Sequence, residues 1–235
     1  MIGPIALAAA AGVAGYTYAA MAPESQIFGR TIVAGRDPNE FALTFDDGPN
    51  DQYTERLLDL LAAHEVQATF FLVGKYVRQR PQLARAIHAG GHRVGNHTMS
   101  HPWLLLESPR RVREELAGCN AALQDALGAP VHLMRPPHGA RRPDVLRAAR
   151  ELGLTPVLWN AMGFDWRPGI TAARIVEHLE RGIARNRRRG RGSNLLLHDG
   201  GHVALGADRS QSVEAARKVL ERYASIRYVT PDVWA

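Results

Sequence analysis

Phe41-Ala42-Leu43-Thr44-Phe45-Asp46-Asp47-Gly48-Pro49 is a short apolar run stopped by two carboxylates, a glycine and a proline. A run of that length reads as a buried strand, and the residues that end it as a turn. Downstream, Tyr53 to Glu65 places Leu57, Leu58 and Leu61 on one helical face, and Ala68 to Val73 is a second strand. The alternation continues through a helix at 81–89, a strand at 92–95, a helix at 109–127, a strand at 131–134, a helix at 143–152 and a strand at 155–159. A helix at 171–185, a strand at 194–197, a helix at 210–224 and a strand at 226–229 complete it. Strands separated by helices pair in parallel through crossovers, so the chain is expected to be α/β, as a doubly wound sheet or a barrel.

The chemistry-bearing residues fall at one end of those strands. Asp46 and Asp47 follow the first, His97 the third, Arg135 the fourth, Asp165 the region after the fifth, and His198 with Asp199 the sixth. Parallel α/β folds build their active sites at the carboxyl ends of strands. Polar residues with purely structural duties have no reason to prefer that face.

Imidazole nitrogen and carboxylate oxygen suit a divalent ion of borderline softness that keeps positions open for water and substrate. Asp47, His97 and His101 supply such a set. Four-residue spacing puts the two imidazoles on one face of a helical turn; in a loop, Ser100 and Pro102 must shape the segment instead. Adjacent carboxylates repel unless a cation lies between them or one takes a proton, which suggests that one ligates and the other stays free. The free one can take a proton from water that the metal acidifies. Read alone, Asp-Asp-Gly-Pro is also an ordinary turn.

Five stretches in this order resemble the polysaccharide deacetylase family, also called the NodB-homology or carbohydrate esterase family 4 domain. They are Thr44-Phe45-Asp46-Asp47-Gly48-Pro49, His97-Thr98-Met99-Ser100-His101, Arg135-Pro136-Pro137-His138-Gly139, Asp165-Trp166 and Leu195-Leu196-Leu197-His198-Asp199. The resemblance covers roughly residues 40 to 230. It implies a single distorted (β/α) barrel with fewer than eight strands, and a metal-dependent hydrolase that removes N-acetyl groups from N-acetylhexosamine-containing poly- or oligosaccharide. Carried over residue by residue, it makes Asp46 the general base and Asp47, His97 and His101 the ligands of a divalent metal, zinc first, with cobalt, nickel or another ion as alternatives. By the same resemblance Arg135 holds the base carboxylate ionised and oriented, His198 protonates the leaving amine, and Asp165 pairs with His198.

Two positions depart from the family pattern. His138 stands where the family usually has tyrosine; the family uses that residue's backbone N–H in the oxyanion hole, a role that survives the exchange. Met162 stands where a further aspartate is often found, leaving Asp165 as the acidic residue of the fourth motif. Two other functions fit the same sequence: amide hydrolysis of a lipid-linked acylamino sugar, and a catalytically inactive wall-glycan-binding module.

The 235 residues carry 46% hydrophobic and 22% charged side chains, a globular composition. Cys119 is the only cysteine, so neither an intrachain disulfide nor a thiolate-rich metal site can form. A net charge of +6 favours anionic partners. The densest basic stretch, Arg185 to Arg191, has no aromatic residue interleaved and reads as a solvated surface run, so no nucleic-acid partner is expected. Ile2 to Ala22 carries no charge and is rich in alanine and glycine. Residues 1–22 are read as a weak signal anchor or uncleaved export segment, or else as a buried or frayed alanine-rich helix. Residues 23–39 are read as a linker and 40–235 as the deacetylase-like domain. The expected partner is an N-acetylated glycan, with membrane association through residues 1–22. The expected setting is the cell envelope, with a cytoplasmic alternative, and the expected state is a monomer. His64, His88, His92, His132, His178 and His202 show no partner pattern and read as structural or exposed.

Overall fold

The computed structural model describes residues 4–235. The elements run α1 (Pro4–Met21), β1 (Glu40–Gly48), α2 (Asp51–Ala63), β2 (Thr69–Leu72), α3 (Gly74–Gln79), α4 (Pro81–Ala89), β3 (Arg93–Asn96) and α5 (Pro109–Leu127). They continue β4 (Leu133–Met134), α6 (Pro143–Glu151), β5 (Thr155–Pro156), β6 (Ala161–Met162), α7 (Ala172–Arg188), β7 (Ser193–His198), α8 (Ser210–Arg222) and β8 (Arg227–Tyr228).

Seven strands form one curved path in the order β5-β4-β3-β2-β1-β7-β6, every pair parallel, and the two-residue β8 adds to the start of β1. β5 and β6 lie at its two ends, so the architecture is a distorted barrel left open on one side. β1 is central because its sequence allows burial on both faces. Phe41, Leu43 and Phe45 are fully buried against Leu57 and Leu61 of α2 and the α7–α8 side of the core, and Phe45 stacks on Phe70 at 5.1 Å. Each such side chain contributes about 1.5–3 kcal/mol of apolar burial. α5 obeys the same logic: Ser108 accepts a hydrogen bond from the Arg111 amide, Pro109 opens the first turn, and Gly128 ends the helix with φ +67°. Its buried face is Val112, Leu116, Cys119 and Leu123, at helical spacing.

Three elements differ from the sequence reading. β1 does not stop at Phe45 but runs through both aspartates to Gly48, because Asp46 stays in register with His198 of β7. The strand expected at 155–159 divides into two short strands around Val157–Asn160, where the path leaves β4 and rejoins the sheet beside β7. α3 was not anticipated. It is six residues long, too short for a helical period to be visible, and Gly74 lies so close to α5 that a Cβ would sit 3.0 Å from the Cys119 Cα.

Residues 23–39 run along the open side of the barrel. Ile32 pairs with Val157 in an isolated parallel bridge, Ser25 and Ile32 are buried, and the Gly192 amide donates to the Gly35 carbonyl at 3.0 Å. The first three residues of the 1–22 segment lie outside the described residues. In α1, positions 9–18 are exposed, whereas Ala19 and Ala20 are buried against the domain. Among the described residues no helix is long and apolar enough to cross a membrane.

Candidate active site

Adjacent residues of a strand point to opposite faces, so Asp46 and Asp47 could not both serve one site on a regular β1. An irregularity resolves this. Against β2, Asp46 pairs with Phe71 and Gly48 with Leu72, which leaves Asp47 as an extra residue, and its φ is +73°. The resulting bulge turns both carboxylates into one cleft. Gly48 follows because nothing larger fits: a Cβ there would lie 2.1 Å from Asp199 Oδ2.

The segment carrying His97 and His101 is a loop rather than a helical turn, which decides between the two geometries that the spacing allowed. Thr98 and His101 have φ of +66° and +62°. The turn is fixed from within and from below. The Thr98 amide donates to Asn96 Oδ1 at 2.8 Å, and the His101 amide to Thr98 Oγ1 at 3.0 Å. Ser100 reaches the buried Glu115 of α5 with both its amide and its hydroxyl, at 2.8 and 2.7 Å. Asn96 and Glu115 are functional supports that sequence reasoning missed; both are buried polar side chains far apart in the chain, and no local pattern marks them.

Asp47, His97 and His101 bring one donor atom each to within 4.8 Å of one another, and all three are buried. Asp47 Oδ1 lies 3.5 Å from His97 Nε2 and 3.2 Å from His101 Nε2 and has no hydrogen-bond partner. His97 Nδ1 faces the Arg135 carbonyl at 2.7 Å. A carbonyl only accepts, so Nδ1 carries the proton and Nε2 is left to coordinate, the usual arrangement for a ligating histidine. One orphaned carboxylate oxygen and two converging imidazoles fit a divalent cation. The imidazoles of His202 and His97, with His198 and His101 beyond, outweigh burial and hold the Asp47 carboxyl well below the usual carboxylate range. Burial, reinforced by the neighbouring His97, pushes the His101 imidazole down to about 2.

Arg135 is fully buried beneath Asp46. Its Nη1 donates to Asp46 Oδ1 and to Thr44 Oγ1, both at 2.8 Å, while Nε and Nη2 donate to the carbonyls of Val157 and Leu158. The guanidinium also lies 4.2 Å from the Phe71 ring centre. Four of its five N–H groups are therefore used to hold it against the carboxylate.

Across the cleft, His198 Nδ1 is 2.8 Å from Asp165 Oδ1, and the His198 amide donates to Asp165 Oδ2 at 2.7 Å. Ser212 Oγ donates to that same oxygen at 2.7 Å. Burial disfavours an imidazolium, but the Asp165 carboxylate, with Asp47 and Asp46 behind it, overcomes this and raises His198 to about 9. Asp165, although also buried, is held below its ordinary value by His198 and Ser212. Met162 lines the cleft without entering this pairing. His138 sits at φ +59°, its ring stacked on Trp103 at 3.8 Å and edge-on to His101 at 4.7 Å.

Asp46, Asp47, His97, His101, His138 and His198 line one open cleft of about 750 Å³, and Arg135 and Asp165 are buried behind it. Trp103 and Trp166 stand at its sides, 46% and 44% exposed, the second edge-on to His198 at 5.2 Å. Leu197, by contrast, belongs to the core. His202, read from sequence as structural or exposed, is a cleft residue, and Met21 and Pro23 of the N-terminal stretch form part of the wall. That stretch is pinned by the buried Arg141, which donates to the carbonyls of Ala20, Ala22 and Ser25. The basic run is largely exposed: Arg185 donates to the Asn160 carbonyl, Arg187 lies over Phe41 and Tyr223, and Arg189 and Arg191 share the single carboxylate of Glu24.

This arrangement has the parts of a metal-assisted amide or ester hydrolase: a cation site, a carboxylate beside it, and an imidazole opposite. The family model of the polysaccharide deacetylases matches residues 34–157, and the chain belongs to that family. It is similar to a chitooligosaccharide deacetylase of Sinorhizobium fredii, with 44% identity over 160 residues, spanning 67% of this chain and 71% of the relative. The fold is similar to the crystal structure of the peptidoglycan N-acetylglucosamine deacetylase Bc1960 in complex with an N-hydroxybenzamide. The TM-score is 0.76 at 30% identity, covering 87% of this chain and 91% of the other. It is also similar to a family 4 acetyl xylan esterase from Clostridium thermocellum in complex with a cobalt ion, with a TM-score of 0.72 at 29% identity, covering 83% and 89%.

Proposed function

We propose that this protein hydrolyses the N-acetyl groups of N-acetylhexosamine residues in a chitin-like or peptidoglycan glycan, releasing acetate and a free amine. The observation that carries the reading is the register of β1 with β7, in which Asp46 pairs with His198 at the carboxyl ends of the two strands. Both side chains line the cleft that Asp47, His97 and His101 also line.

Asp47, His97 and His101 would hold the cation, zinc by preference for two imidazoles and one carboxylate. When bound, the metal supplies acidification of water and polarisation of the acetyl carbonyl. Asp46 takes the proton of the attacking water, its other side fixed by Arg135. Loss of the amine requires a proton on nitrogen, and His198, kept protonated by Asp165, donates it. The His138 amide serves the developing oxyanion, and Trp103 and Trp166 offer faces on which sugar rings can stack.

The presence of every one of these groups favours an enzyme over an inactive wall-binding module. The similarity to a chitooligosaccharide deacetylase and to a peptidoglycan N-acetylglucosamine deacetylase favours a glycan over a lipid-linked sugar. Action on a wall polymer would place the protein in the cell envelope, and the self-contained cleft suits a monomer. The test is acetate release from N-acetylglucosamine oligomers and from peptidoglycan by metal-free protein reconstituted with zinc or cobalt, beside Asp46→Asn. Metal-dependent release that the variant lacks is expected. Stoichiometric metal without release from either polymer would overturn the assignment.

A further inference from the structure

A carboxylate that ligates through one oxygen is well placed only if its other oxygen is held. Asp47 Oδ1 is the oxygen turned towards His97 and His101, and it makes no hydrogen bond. Asp47 Oδ2 faces the loop after β7, where His202 Nδ1 stands 3.6 Å away. That loop is tied to α3: the His202 carbonyl accepts from Lys75 Nζ at 2.8 Å and from Tyr76 Oη at 3.0 Å. The His202 ring lies against His101, with centroids 4.4 Å apart and planes 18° from parallel. Backbone and ring are both placed, and the side chain, 45% exposed, retains the freedom to close the last few tenths of an ångström to a hydrogen bond.

His202 is not one of the three residues whose donor atoms lie within 4.8 Å of one another. Its contact is with the ligand, not with the place where the ligands converge. We propose that His202 is a positioning residue for the metal centre, donating from Nδ1–H to Asp47 Oδ2 and so presenting Oδ1 to the cation. The inference rests on the metal-site reading of Asp47, His97 and His101. Donors that orient ligating groups in this way typically change metal affinity by about 10–100-fold. Gly201 before it and Val203 after it give His202 no motif of its own, which explains why the sequence left it unassigned.

The experiment is metal competition against a chromophoric chelator for the full chain, with zinc and cobalt, in wild type, His202→Ala, His202→Asn and Asp47→Ala. The absorption spectrum of each cobalt-saturated protein is recorded as well. His202→Ala is expected to bind about 10–100-fold more weakly, yet to give the wild-type cobalt spectrum once saturated. His202→Asn, whose amide N–H can reach the same oxygen, should recover most of the loss. Wild-type affinity in His202→Ala, or no recovery in His202→Asn, would overturn the positioning role. So would a saturated cobalt spectrum altered by loss of the ring, because that would make His202 a ligand. Wild type binding no better than Asp47→Ala would instead overturn the metal-site reading itself, so the two failures are distinguishable.

Discussion

Arg135→Met is the perturbation that most directly tests how the site is built. The guanidinium is fully buried and has four hydrogen bonds, to Asp46, Thr44 and two backbone carbonyls. Methionine fills much of the volume but leaves the Asp46 carboxylate facing a buried space without its cation. Removing one partner of a buried ion pair costs about 3–5 kcal/mol, most of it the stranded charge. At roughly 2–4 °C per kcal/mol for a chain of this size, the melting temperature should fall by about 6–20 °C. The stranded-charge argument makes a sharper demand on the double variant. Asp46→Asn in the Arg135→Met background removes the uncompensated charge, so the two changes together should be less damaging than their sum by about 0.5–3 kcal/mol. Urea titrations of the four proteins in a chelator, so that metal binding does not contribute, would measure this. A single-variant loss below about 1 kcal/mol, or additivity within about 0.5 kcal/mol, would refute the claim that Arg135 is there to hold Asp46.

Asp46→Asn alone should lower turnover by about two orders of magnitude or more while leaving zinc affinity close to wild type, as read by acetate release and chelator competition. Asp165→Asn should move the alkaline limb of the kcat–pH profile to lower pH, from near 9 towards the ordinary imidazole value of 6.5. Because His198 is raised in the folded state, its pairing contributes stability that is complete below about pH 6.5 and lost as pH rises through about 9. Thermal melts across that window should show the decline in wild type and little of it in Asp165→Asn. Gly48→Ala forces a Cβ to 2.1 Å from Asp199 Oδ2; weaker metal binding and a melting temperature several degrees lower are expected, and wild-type behaviour in both would mean that the bulge tolerates a side chain. Arg141→Met should free residues 19–25 from the domain, seen as faster limited proteolysis there and as a raised KM, because Met21 and Pro23 line the cleft.

The order of strands and helices was legible because burial imposes its period on the sequence: Phe41, Leu43 and Phe45 could hardly be anything but a central strand. The candidate site could be located in the sequence because its residues sit where parallel strands end and fall in five stretches that resemble one family. What could not be read has a common cause. The bulge at Asp47, the loop form of His97–His101 and the placing of His202 all depend on contacts between segments far apart in the chain. Asn96 and Glu115 shape the histidine loop from β3 and α5, and nothing near either residue announces it. The stretch read as a linker gave no signal either, because Ile32 is fixed by one bridge to Val157 and not by a periodic face.

The conformations the sequence concealed are concentrated at the chemistry. Among the described residues six non-glycine positions have positive φ, and Asp47, Thr98, His101 and His138 are four of them. Such conformations cost of order 1–3 kcal/mol each and persist only where the surroundings over-determine them. Each of the four has its restraint: the β1–β2 register at Asp47, the Asn96 side chain at Thr98, the Thr98 hydroxyl at His101 and the Trp103 stack at His138. Replacing His101, whose Nδ1 is buried without a partner, by glycine would therefore relieve backbone strain while deleting a candidate ligand. The metal-free protein should lose little stability, or gain some, as the cation site is destroyed. That inversion of the usual mutational penalty would mark His101 as retained for the site and not for the fold.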